Sequence, residues 1–266
     1  MTLFALAVLA GAFIAFGAIF ATTIISGDIS IQSDPDANGL IANFPFGFNK
    51  LLAGLVFCLG LILVIVGGAE LFTGNNLIVM AWASGKVSTA ALLRNWIIVY
   101  AGNFLGAIGT AILVFASKQY TFGANSVGET ALNIAQSKVG FGFIQAIALG
   151  ILCNILVCLA VWMTFSARST IDKIAAVIFP ITAFVAAGFE HSIANMYFIP
   201  IGLLIKNFAS PEFWLSIEKI PADYEALTWG TFFFNNLIPV TIGNIIGGAI
   251  FVAGIYWLIF LRQDNS

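Results

Sequence analysis

The sequence predicts an all-α membrane protein: six transmembrane spans built as two inverted three-helix repeats, with the second and fifth helices broken. Three observations lead there. Of 266 residues, 61% are hydrophobic and only 8% charged, whereas a soluble domain carries roughly 25% charge. Lipid must therefore solvate much of the chain. Six apolar runs follow one another, each near or above the roughly 20 residues that cross a bilayer. Finally, one pair of motifs occurs twice in the same order. Gly68-Ala69-Glu70 with Asn75, and Gly188-Phe189-Glu190 with Asn195, both read G-x-E-x4-N. Gly102-Asn103-Phe104-Leu105-Gly106 and Gly243-Asn244-Ile245-Ile246-Gly247 both read G-N-x-x-G.

The runs lie at about 3–25, 50–83, 92–116, 141–165, 174–205 and 231–261, read from hydropathy along the chain. The first is uncharged, too long for a cleavable signal peptide and without a basic lead. It starts almost at Met1, and a polar segment is expected to precede it. The second and fifth exceed one straight crossing and hold the G-x-E motifs. Each is expected to be two half-helices joined by unwound backbone, which lipid tolerates only where protein or a cavity covers it. The third and sixth carry the G-N-x-x-G pairs, whose glycines suit close helix packing. The fourth contains Cys153 and Cys158. With Cys58 they form no CxxC pair and no Cys/His cluster, so they read as small buried hydrophobes rather than metal ligands.

The chain is expected to form one transmembrane unit, 1–266, with repeat one at about 1–116 and repeat two at about 141–261. Three spans per repeat is an odd number, so the second repeat must insert upside down relative to the first. The site is then expected near the midplane, where the broken helices meet. The second half is longer between its two motifs, and the excess falls in the 206–230 loop, where insertions belong.

With the N-terminus inside, the inner connections hold Lys86, Arg94, Arg168, Lys173 and Arg262, and the outer loops hold Lys50, Lys118, Lys138, Lys206 and Lys219. The counts tie. The inner loops are shorter and carry every arginine, so the positive-inside rule favours both termini in the cytoplasm. No basic stripe suggests nucleic acid. There is no HExxH, GxSxG or Walker A loop, so neither an enzyme nor a cofactor site is expected.

The residues that could carry chemistry sit in the breaks. His191 is the only histidine of the chain. It is either a satisfied buried imidazole or a proton donor and acceptor for a passing solute, the task its side chain suits near neutral pH. Burial favours its neutral form and an approaching anion its charged form. Glu70 and Glu190 are either cation-binding carboxylates or structural acceptors for unwound backbone N–H groups; their equivalence favours a shared structural role. Asn75, Asn195, Asn103 and Asn244 can bridge loose backbone or offer amide donors to a solute.

At these residues the chain resembles the formate/nitrite transporter family. The stretch Gly188-Phe189-Glu190-His191-Ser192-Ile193-Ala194-Asn195-Met196 is similar to its signature, and Glu70-Leu71-Phe72-Thr73-Gly74-Asn75-Asn76 is similar to the partner in the second helix. The resemblance implies an aquaporin-like arrangement and a homopentamer with one pore per protomer, set in a bacterial inner membrane. It implies passage of small monovalent anions, formate first, with nitrite, hydrosulfide or a longer monocarboxylate as alternatives; a neutral-solute or water pore is the other reading. His191 is then the central pore residue, with Thr73 and Asn244 bonding near it and Asn195 lining the site. Leu61 and Phe184 would form the constriction outside His191, and Leu71, Phe72 and Val157 the one on the cytoplasmic side. Lys138 would draw anions into the outer vestibule. In the family the polar N-terminal segment is cytoplasmic and linked to gating.

Overall fold

The computed structural model describes residues 1–26 and 45–262, so residues 263–266 of the C-terminal tail lie outside the described residues. Within them the chain is helical throughout. α1 (Thr2–Ile25) and α2 (Phe46–Gly67) are followed by a 3-10 turn at Gly74–Ile78, a short α3 (Val79–Ala83) and α4 (Thr89–Ala116). Next come α5 (Ser126–Val139), α6 (Phe143–Thr164), α7 (Thr170–Ala186) and α8 (Ser192–Phe208). A short α9 (Pro211–Ser216) leads to the last membrane-length stretch, where α10 (Trp229–Thr231) and α11 (Ile238–Ile245) are separated and followed by π turns at Phe232–Leu237 and Ile246–Gly254.

Among the described residues, five helical stretches are long and apolar enough to cross a membrane: Thr2–Ile25, Phe46–Gly67, Thr89–Ala116, Phe143–Thr164 and Pro221–Leu261. The fifth apolar run is divided at residues 187–191 into α7 and α8, of 17 residues each. The second run divides unequally. α2 has 22 residues, a full crossing rather than half of one, and only the 3-10 turn and α3 follow its break. α5 lies where the sequence reads as a loop. It buries one face, including Leu132 and Ala135, and carries Glu129 and Lys138, so its charge concealed it from a hydropathy reading.

The glycines of the G-x-E motifs explain the breaks. Gly68 and Gly188 adopt left-handed backbone, at φ +67° and +73°. Each lets the chain turn back on the helix that it ends: the Ala69 N–H donates to the Val64 carbonyl at 2.9 Å, and the Phe189 N–H to the Phe184 carbonyl at 3.0 Å. A left-handed glycine with this backward bond is a standard helix stop, because only glycine adopts the conformation without a Cβ penalty.

The G-N-x-x-G glycines make two helix crossings. α1 packs on α2 and α4, and α6 packs on α7 and α11, while α2 against α7 and α4 against α8 join the two halves. A Cβ on Gly106 would overlap the Val8 carbonyl of α1, and one on Gly243 or Gly247 would overlap the Ile147 or Ile151 carbonyl of α6. Backbone meets backbone at these points, so packing alone accounts for the glycines. A Gly106→Val variant should lose about 1–3 kcal/mol or more through overpacking. Gly109→Val, on the same helix and with open space at its Cβ, should keep the parent stability. Thermal unfolding in detergent compares the two, and equal melting temperatures would refute the assignment.

Candidate pore site

Each break is held by one asparagine, and the two halves use the same bonds. Asn103 on α4 accepts from the Phe72 N–H at 2.9 Å and donates to the Ala7 and Glu70 carbonyls at 2.7 and 2.9 Å. Asn244 on α11 accepts from the Ser192 N–H at 2.9 Å and donates to the Gly150 and Glu190 carbonyls at 2.8 and 3.0 Å. The Glu70 N–H reaches the Leu6 carbonyl of α1, and the Glu190 N–H the Leu149 carbonyl of α6, at 3.2 and 3.3 Å. A primary amide suits this role because it offers an acceptor and two donors on one planar group. Asn244 is thus committed to backbone, one residue away from His191 rather than bonded to it.

The carboxylates take side-chain partners instead of the backbone N–H groups that the sequence suggests. Glu70 accepts from Asn75 at 2.7 Å, and Asn75 also donates to Asn95 at 3.0 Å. Glu190 accepts from Asn195 at 2.7 Å, and Asn195 also donates to Asn236 at 2.7 Å. Of these two glutamates, only Glu190 has an ion pair among the described residues: Lys138 on α5 approaches it at 2.7 Å, with the two side chains 15% and 3% exposed. Asn236 adds a bond to the Lys138 carbonyl at 2.8 Å. Asn95 and Asn236 are the residues that sequence reasoning missed. The signal was present, since each stands eight residues before its G-N-x-x-G asparagine. Asn154 was missed too. This buried polar residue in the fourth run bonds the Thr73 and Asn244 carbonyls at 3.3 and 2.7 Å.

His191 caps α8. Its Nδ1 accepts from the Ala194 N–H at 3.1 Å, and its Nε2 lies 2.9 Å from Thr73 Oγ1. An Nδ1 that accepts cannot carry a hydrogen, so the neutral ring holds its hydrogen on Nε2 and donates to Thr73. The Thr73 hydroxyl hydrogen is then left for a further acceptor. The Thr73 carbonyl is fixed by Asn154 and by Cys158 Sγ, the latter at 3.3 Å.

A cavity of about 390 Å³ reaches His191 and is walled by Lys50, Phe57, Lys138, Phe184, Glu190 and His191 among others. Asn195 also lines it, with its Oδ1 buried and unbonded. Beyond Phe184 and His191 lies a void of about 10 Å³, bounded by Leu61, Leu71, Val157 and other apolar side chains. The constriction residues expected on opposite sides of the histidine therefore meet at one plug, except Phe72. Its ring packs against Trp96 and Tyr100 of α4, with centroids 5.9 and 4.8 Å away.

The sequence profile described as formate/nitrite transporter matches residues 1–258. The chain belongs to the formate/nitrite transporter family. Among similar members of the family is the Formate channel FocA of Escherichia coli (strain K12), 45% identical over 262 residues that span 98% of this chain and 87% of that one. The Probable formate transporter of Methanothermobacter thermautotrophicus is 38% identical over 272 residues, covering 97% and 88% of the two chains. A solved structure described as a pentameric formate channel with formate bound superposes with a TM-score of 0.88 at 46% identity, covering 98% of this chain and 97% of the other. The family is one of transporters rather than enzymes.

In this family member the Lys138–Glu190 pair lies in the wall of the cavity, and its removal is informative. Lys138→Met alone should cost about 3–5 kcal/mol by stranding a buried carboxylate. The double variant Lys138→Met/Glu190→Gln should recover most of that loss. Denaturation of both in detergent provides the check; a double variant no more stable than the single one would refute the pairing.

Proposed function

We propose that this chain is a channel for formate and related small monovalent anions, and that His191 and Thr73 bind the anion where the cavity meets the apolar plug. The observation that carries the reading is the donor pair itself. His191 lines a cavity that also holds lysine side chains, and an anion arriving there would take over the Nε2–H that Thr73 Oγ1 accepts, with the Thr73 hydroxyl beside it as a second donor. The FocA resemblance at 45% identity and the 0.88 superposition on a formate-bound channel support formate as the solute.

The architecture proposed with it is one unit, 1–266, of six spans in two inverted three-helix repeats. The matched bonds of Asn103 and Asn244, and the matched helix stops at Gly68 and Gly188, support that reading. A homopentamer in a bacterial inner membrane, with both termini cytoplasmic, completes the proposal. Leu61, Phe184, Leu71 and Val157 would force the anion to shed water, and Glu70, Glu190 and Asn75 would hold the breaks.

The capped Nδ1 favours passage of the anion over proton transfer from the ring. A ring that gives up a proton and stays neutral must first be charged, with hydrogens on both nitrogens. That would break the bond to the Ala194 N–H and uncap α8. Flux into sealed proteoliposomes tests this, with formate, nitrite, hydrosulfide, lactate and water compared while internal pH is followed. Preferential formate entry without matching acidification is expected. Acidification in step with formate, beyond that of protein-free vesicles, would assign proton-linked entry; water flux alone would overturn the anion reading. His191→Phe should lower formate flux about 10-fold or more, since a buried hydrogen bond to an ion is worth about 1.5–3 kcal/mol. It should leave the pH dependence of the remaining flux as it was. A changed pH profile would return the proton to the mechanism.

A further inference from the structure

We infer that Lys50, and not Lys138, supplies the net positive charge that gathers anions in the cavity above His191; this rests on the transport reading. Among the described residues, two lysines line that cavity, together with one carboxylate, Glu190. The resemblance points to Lys138, but its ammonium lies 2.7 Å from Glu190 Oε1, in a pair nearly shut away from water. It also rests 5.3 Å from the centre of the Phe198 ring. Two opposite charges in contact form a dipole whose field falls away faster than that of a lone charge. Lys138 therefore leaves the cavity close to neutral.

Lys50 is placed differently. It is the fifth residue of α2, which begins at Phe46. Among the described residues it makes no ion pair, and its ammonium lies 5.4 Å from the centre of the Phe46 ring. Phe46 is largely exposed, so the lysine has a partner at the rim that does not cancel its charge. The cavity walls between are largely apolar, with Phe57, Phe141, Phe184 and Phe198 among them. Low-dielectric walls concentrate the field of a lone charge and raise the local concentration of counter-ions. Formate reaching the Thr73–His191 pair would thus pass a rim cation first and a neutralised pair afterwards.

The test is initial formate uptake into proteoliposomes at 10 and 500 mM choline gluconate, for the parent chain, Lys50→Gln and Lys50→Arg. At low salt Lys50→Gln should take up formate about threefold to 10-fold more slowly than the parent, within the range that charge steering gives. At high salt the screening length falls to a few ångströms and the rates should converge. Lys50→Arg should behave as the parent, because it keeps the charge. Lys50→Gln with the parent's rate and salt slope would overturn the inference, and so would Lys50→Arg as slow as Lys50→Gln, since the lysine would then act through shape. A parent chain that takes up no formate would overturn the transport reading instead. Elution of each variant at the parent's position in detergent confirms that it is folded.

Discussion

Unwound backbone inside a membrane has to find hydrogen bonds from protein, because hydrocarbon supplies none. The rest of this molecule is arranged around that constraint. Two segments give up helical bonding so that Thr73 and His191 can meet in the interior. Each segment leaves N–H and C=O groups that would cost several kcal/mol apiece if left bare. One asparagine per segment, rooted on a neighbouring long helix, meets most of that demand with three bonds. For the amides to arrive, α4 must lie against α1 and α11 against α6 at backbone contact, and the flanking glycines allow it. Glycine and asparagine are thus two parts of one device.

The two halves share this frame and differ in what it displays. The residue after the first glutamate is Leu71, and the residue after the second is His191. One half gives an apolar side chain to the plug and the other gives the polar ring. Likewise Glu190 has gained a lysine, whereas Glu70 has only amide partners among the described residues. Common bonding therefore maintains the breaks, and the departures from it are what distinguish the two halves.

Much of this was legible in the sequence, for a definable reason. Gly68, Gly188, Asn103 and Asn244 act through local conformation or through a motif, and both leave a pattern in the chain. Lys138 was legible as a residue but not as a partner. Its carboxylate lies 52 positions further along, and no local rule brings the two together. α5 escaped because its buried face alternates with charge, so hydropathy averages it into a loop. The plug was grouped by side of the histidine, whereas the packing of α1, α2, α6 and α7 gathers Leu61, Phe184, Leu71 and Val157 to one place. Which side chains fill a common space depends on helix rotation, and a one-dimensional pattern does not encode that.

The void beyond the histidine measures about 10 Å³ and has a single polar side chain in its wall. A buried water needs about two to four hydrogen-bond partners, so nothing here sustains a file of bonded waters. Protons cross bilayer proteins rapidly only along such a file, hopping from oxygen to oxygen. Cells that store energy as a transmembrane proton gradient lose it through any wet pore. A plug of this kind, with one polar side chain in its wall, offers protons no such path.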